Sequence, residues 1–297
     1  MALFDLVVLA LIQGITEFLP ISSSGHLALW PLLTGRPDQG VTMDVAVHLG
    51  TLVAVCAFFR RDVGRLALGA HDILRGQAAS ADARLLLLLA LATVPAVAAG
   101  LALKLTDGMD ALRSVAVIGW ATLLGGIVLW LADRFGGARR TGGGWGWGDA
   151  VLMGLAQAVA LIPGTSRSGA CMAMGRALGF RRDEAARLAL LMAVPTILAA
   201  GTVETAGLVA EGNLSLGIDF ALGAVLAFLA ALAALTVMMG MFRRDWTMTP
   251  FVLYRLALGS VLLWIAYAWA TPRRHWTGAS RFATLARGSG DGTGDSG

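Results

Sequence analysis

Of the 297 residues, 57% are hydrophobic and only 14% charged, and the mean hydropathy of +0.73 lies outside the range of soluble globular domains, indicating a polytopic membrane protein. A net charge of +4 and a pI near 9.8 do not argue for nucleic acid, because 22 of the 23 basic residues are arginines scattered in short clusters between apolar runs. Cys56 and Cys171 sit in apolar context without CxxC or Cys/His spacing, so neither a disulfide framework nor a zinc site is supported.

The opening MALFDLVVLALIQ has no basic n-region and no small-residue cleavage site, and is not read as a signal peptide. The first apolar stretch, residues 5–34, is interrupted at Glu17, Pro20 and Ser22-Ser23-Ser24-Gly25-His26. Two half-length helices around a polar turn are predicted there, as a re-entrant hairpin whose irregular backbone must be covered by protein or by a water-filled cavity. A spanning helix needs about 20 apolar residues. Six stretches qualify: 41–59, 83–104, 112–132, 184–206, 216–241 and 250–270. Between the first two lies an Arg-rich loop with a solvated His71, while His48 falls inside the first span and either faces a pocket or pairs with a neighbouring helix. Trp145 and Trp147 fit an interfacial aromatic belt. A second interrupted stretch, 149–179, breaks at Pro163-Gly164 and Ser166-Arg167-Ser168-Gly169 and is read as a second re-entrant hairpin. The tail from about Gly278, ending GSGDGTGDSG, reads as a disordered extension.

The two hairpins are related by an offset of 144 residues. Asp5 matches Asp149, Gln13 matches Gln157, and Ser22-x-Ser24-Gly25 matches Ser166-x-Ser168-Gly169. Arginines cluster at 60–84, 134–140 and 243–244, which the positive-inside rule makes cytoplasmic. Loops 105–111 and 207–215, with Asp107, Asp110 and Glu211, are then external, and Arg273 and Arg274 run against the scheme. Counting spans, the hairpins enter from opposite sides, and inverted repeats with broken helices place a site near the midplane. The predicted fold is therefore all-α and polytopic: six transmembrane helices plus two re-entrant helix-turn-helix hairpins in an inverted repeat, one domain over residues 1–271 followed by a tail over 272–297.

The polar residues of the hairpins carry the chemistry. In QGITE, Gln13 and Glu17 stand at i and i+4 on one helix face, and a carboxylate inside a membrane is by default functional. The following PISSSGH offers hydroxyls, a glycine, and His26 as a group able to move protons near neutral pH. Serines also cap helices, which is the plain alternative for Ser22. Ser166-Arg167-Ser168 opens a helix, so hydroxyls, free N–H groups and a positive dipole end converge with a planar guanidinium suited to phosphate oxygens.

QGITEFLPISSSGH resembles the [E/Q]xxxE motif and the following Ser/His segment of the bacterial undecaprenyl-diphosphate phosphatase family, the bacitracin-resistance type of polyprenyl diphosphatase. PGTSRSGAC resembles its PGxSRSxxT motif, and the likeness covers residues 1 to about 270. The resemblance implies hydrolysis of the C55 lipid diphosphate to the monophosphate carrier of cell-wall synthesis, with Mg²⁺ or Ca²⁺, in the bacterial inner membrane at a pocket open to the periplasmic side, and bacitracin resistance when abundant. Its partners would be the polyprenyl lipid and the bilayer, with no nucleic acid; a homodimer is compatible. Carried over by position, Glu17, Ser23, His26 and Arg167 are catalytic, Ser24, Ser166, Arg167, Ser168 and Gly169 hold the substrate phosphate, and Glu17 and Gln13 hold the metal. Two positions depart from the pattern: Gln13 leaves Glu17 the only carboxylate in its helix, and Cys171 replaces the motif's final Thr. Arg187 also stands where a carboxylate is common. The nucleophile is left open between Ser23, His26 and an activated water, the nucleophile-plus-base pattern favouring Ser23. The rival function is a transporter or flippase of a phosphorylated polyprenyl lipid, which would need Arg167 but has little use for Glu17 and His26 together.

Overall fold

The computed structural model describes residues 3–35, 40–106, 112–210 and 217–268. The expectations for Asp107, Asp110, Glu211, Arg273, Arg274 and the tail lie outside the described residues. Six helices are long and apolar enough to cross a membrane, and each overlies a predicted stretch: α3 (Val41–Phe58), α5 (Ala81–Leu105), α6 (Val115–Phe135), α9 (Arg182–Ala210), α10 (Ile218–Arg243) and α11 (Thr249–Ala268). The interrupted stretches form two helix-turn-helix pairs, α1 (Leu3–Thr16) with α2 (Ser23–Thr34), and α7 (Trp147–Val159) with α8 (Arg167–Ala177).

One element is new. Residues read as a loop form the amphipathic helix α4 (Arg60–Leu74), separated from α3 by Phe59 alone and packed on α5. Its charges follow helical spacing: Asp62 and Arg65 form an i,i+3 pair, and Arg65 also donates to Asp82 at 2.7 Å.

Apolar burial does not drive helices together inside lipid, so close approach of small residues must. The repeat supplies it twice. Gly14 of α1 lies so near α10 that a Cβ would stand 2.6 Å from Ala227 O, and Gly154 of α7 lies equally near α5, with Ala92 O at 2.6 Å. Each hairpin is thus seated by its first helix on one spanning helix of the opposite half.

Charges away from these seats are locked in networks. Buried Arg176 donates to Asp133 and to the carbonyls of Gly137 and Phe180, and Arg182 and the Met248 amide share the same carboxylate. Arg187 bridges α9 to α4 by donating to both oxygens of Asp62, and it also reaches Glu184. The departure noted at Arg187 therefore serves helix packing. Of the two belt tryptophans, Trp147 is exposed, whereas Trp145 is buried in the core.

Candidate active site

Both hairpin turns are built by one device. Ser22 and Ser166 have left-handed backbones, φ 74° and 67°, which a residue with a Cβ adopts only when its surroundings compel it. Each caps the helix that follows, its hydroxyl accepting from the amide of Gly25 or Gly169, and each lies 3.1 Å from the hydroxyl of Ser24 or Ser168. The two middle serines then cross over: the Gly164 amide donates to Ser24 at 2.9 Å, and Ser168 donates to Leu19 O at 3.0 Å. Ser24, Ser166, Ser168 and Gly169 accordingly sit in the interface that brings the two turns together.

Behind that interface lies Arg255 of α11, wholly buried, whose hydrogen bonds among the described residues all go to carbonyls. It donates to Pro20 O of the first turn, to Gly164 O and Thr165 O of the second, and to Ala121 O and Thr122 O of α6. A side chain at residue 169 would displace this arginine, since a Cβ would lie 2.9 Å from the Arg255 guanidinium.

The serine turns start α2 and α8 at the same place, and their first residues converge on one carboxylate. Arg167 donates to Glu17 Oε1 at 2.5 Å; Ser23 donates to Glu17 Oε2 at 3.0 Å, and Gln13 donates to the same oxygen at 2.8 Å. The Glu17 side chain is only 8% exposed, so this attraction acts in a medium of low dielectric. His48 joins the group from α3. Its Nδ1 is 2.7 Å from Asp44 O, which makes Nδ1 the donor in a neutral ring and leaves the Nε2 lone pair facing the Gln13 amide at 3.1 Å and Glu17 Oε2 at 4.0 Å.

His26 is oriented differently. Its Nδ1 donates to Ser22 O at 2.7 Å, and its Nε2 accepts from the Tyr254 hydroxyl at 2.7 Å, the two rings being stacked. It therefore bonds neither Ser23 nor Glu17, but borders an apolar groove of about 540 Å³ that Leu11, Ile15, Leu19, Phe251 and Tyr254 also line. A second apolar groove, of about 900 Å³, begins at His48 and runs along Leu49, Leu52, Ile197 and Leu198. Cys171 is fully buried, one helical turn after Arg167, with its sulfur toward Met153 O. Cys171→Thr is expected to change kcat/KM by less than about threefold, a threonine hydroxyl finding the same carbonyl; a larger gain would bring position 171 into the site.

Sequence reasoning missed Tyr254 and Arg255, and left His48 undecided. A signal existed for Arg255, an ionisable residue in the middle of an apolar span. For Tyr254 there was none, because its partner lies 228 residues away.

A carboxylate holding a serine hydroxyl at hydrogen-bond distance can serve as base to a nucleophile, and a guanidinium at a helix N-terminus beside it can receive an oxyanion. The chain matches the family described as "Bacitracin resistance protein BacA" over residues 6–261. It is 52% identical over 268 residues to the undecaprenyl-diphosphatase of Dinoroseobacter shibae, covering 90% of this chain and all of the relative. It is 45% identical over 266 residues to that of Alcanivorax borkumensis, covering 89% and 99%, and 45% identical over 273 residues to undecaprenyl-diphosphatase 1 of Rhodospirillum rubrum, covering 90% and 96%.

Proposed function

Since the chain belongs to the bacitracin resistance protein BacA family, we propose that it hydrolyses undecaprenyl diphosphate to undecaprenyl phosphate and inorganic phosphate, regenerating a lipid carrier, with Glu17, Ser23 and Arg167 at the reacting centre. The observation that carries the assignment of the centre is the contact between Arg167 and Glu17, which are 150 residues apart and meet only because the two turns interlock.

In the resting site Arg167 is held by Glu17. An incoming diphosphate competes for the guanidinium, whose planar fork matches two phosphate oxygens, and the free amides at the start of α8 add donors in the same direction. Drawing Arg167 away raises the basicity of Glu17, which then takes the Ser23 proton as the hydroxyl attacks the terminal phosphorus. The lipid monophosphate leaves with the proton that Glu17 took up, and water, giving its proton to the freed Glu17 carboxylate, attacks the seryl phosphate, releasing inorganic phosphate as Ser23 Oγ is reprotonated. His26 borders the groove of Leu11, Ile15 and Leu19, and its Nε2 holds the Tyr254 hydroxyl beside that groove, where the lipid end of the substrate would lie. The apolar grooves at His26 and His48 suit the polyprenyl chain.

A divalent cation, Mg²⁺ or Ca²⁺, fits Glu17 and Gln13: the Gln13 amide oxygen is wholly buried without a hydrogen-bond partner, and a half turn of that amide brings it against Glu17 Oε2. Such an ion neutralises diphosphate charge. We further place the protein in the bacterial inner membrane, with α1–α2 and α7–α8 re-entrant and the site open to the periplasmic side, a placement supported by the arginines at 60–84, 134–140 and 243–244. A homodimer is compatible with this centre.

Detergent-purified protein supplied with undecaprenyl diphosphate is expected to release phosphate, to stop in EDTA, and to recover on addition of Mg²⁺ or Ca²⁺. Absence of release from the wild type removes the phosphatase reading and leaves a carrier; undiminished release in EDTA removes the cation. Acid-quenched reactions should yield phosphate on Ser23, and label found on His26 instead would reassign the nucleophile.

A further inference from the structure

We propose that His48 is a third protein ligand of the divalent cation, and that it biases the site toward ions that accept an imidazole nitrogen, such as Mn²⁺, Co²⁺ or Zn²⁺, over Ca²⁺. The inference rests on the reading of a cation at Gln13 and Glu17. Three edges define the triangle: 2.8 Å from the Gln13 amide to Glu17 Oε2, 3.1 Å from that amide to His48 Nε2, and 4.0 Å from His48 Nε2 to Glu17 Oε2. Ligands about 2.1 Å from one octahedral ion stand about 3.0 Å apart when adjacent and about 4.2 Å when opposite. The triangle has two edges of the first kind and one close to the second.

Each corner is prepared to ligate. His48 Nδ1 donates to Asp44 O, which fixes the tautomer with the Nε2 lone pair toward the other two groups, as the outer hydrogen bond of a metal-bound histidine does. The Gln13 side chain is wholly buried, and its amide nitrogen serves both neighbours while its oxygen has no partner among the described residues. A buried acceptor left unpaired costs about 1–3 kcal/mol. Turning the amide half a turn replaces two hydrogen bonds by an oxygen aimed into the triangle, an exchange that is favourable only with a cation between them.

Position 13 carries a neutral amide where the family motif also admits a carboxylate, so one anionic oxygen is missing. An imidazole supplies a donor in its stead without adding charge, and nitrogen donors favour the later first-row ions over Mg²⁺ and Ca²⁺.

Mn²⁺ is the probe. Purified wild type is titrated with Mn²⁺ and followed by electron paramagnetic resonance, with spin-echo modulation reporting directly bonded ¹⁴N. The wild type is expected to bind Mn²⁺ with ¹⁴N modulation. His48→Ala should lose that modulation and bind Mn²⁺ at least about tenfold more weakly, with Ca²⁺ affinity, read by competition, changed by less than about threefold and an unchanged melting temperature. Wild-type binding that depends on Glu17, tested with Glu17→Gln, but shows no ¹⁴N modulation, or modulation that survives in His48→Ala, overturns the role of His48 and leaves the cation. Wild-type binding that is absent, or unaffected in Glu17→Gln, overturns both.

Discussion

Arg167→Ala is expected to lower kcat/KM for undecaprenyl diphosphate by about 10³-fold or more, the range found when an arginine that stabilises a transferring phosphoryl group is removed. The loss has one source: the guanidinium that would hold the terminal phosphate is gone, and the greater basicity of Glu17 without its cation at 2.5 Å does not replace it. Arg167→Lys separates charge from shape: a lysine restores a positive charge but not the planar fork, so it should recover the Glu17 contact and little of the rate. Steady-state phosphate release with melting temperature as a control checks both variants. An alanine variant with more than a tenth of wild-type activity would remove Arg167 from the reacting centre.

The largest expected loss of stability falls at Arg255, which touches no substrate group. Arg255→Met fills much of the same volume but strips donors from Pro20 O, Gly164 O and Thr165 O at once. Buried carbonyls that lose a donor cost about 1–3 kcal/mol each, so a fall on the order of 3–5 kcal/mol is expected, read as a lower melting temperature in detergent. Gly125→Ala reaches the same contacts from the other side, because its Cβ would stand 2.1 Å from Arg255 Nη2. If Arg255→Met melts like the wild type, the turns are held by the serine crossover alone.

These two arginines mark the limit of what the chain discloses before it is folded. Hydropathy and length located all six long helices, because crossing lipid demands a run of apolar residues that nothing else in a protein requires: 41–59 was expected where Val41–Phe58 is found. The serine turns were legible through their repetition, and Arg167 through its neighbours in SRS. Arg255 was marked by its place in an apolar span, but its role was hidden, because its partners are backbone carbonyls, which leave no mark on a sequence. His26 was open as base or nucleophile beside Ser23, but the ring turns to Tyr254, a choice made by tertiary packing. The helix α4 escaped because its charged face made it read as loop, when that face pairs with Asp82 and Arg187 on neighbouring helices. His48 became legible only when α3 packed beside α1.

The interlocked turns have an evolutionary consequence. By the offset of 144, Ser23 corresponds to Arg167, and Glu17 to Leu161. Two identical half-length chains docked in this manner would bring either hydroxyl against hydroxyl or guanidinium against guanidinium, and would hold two carboxylates or none. The pair that neutralises itself at rest and parts for a diphosphate exists only after the halves have become different. Two identical halves could thus supply the frame of this enzyme but not its single, polarised centre, which needs two halves that differ in one chain.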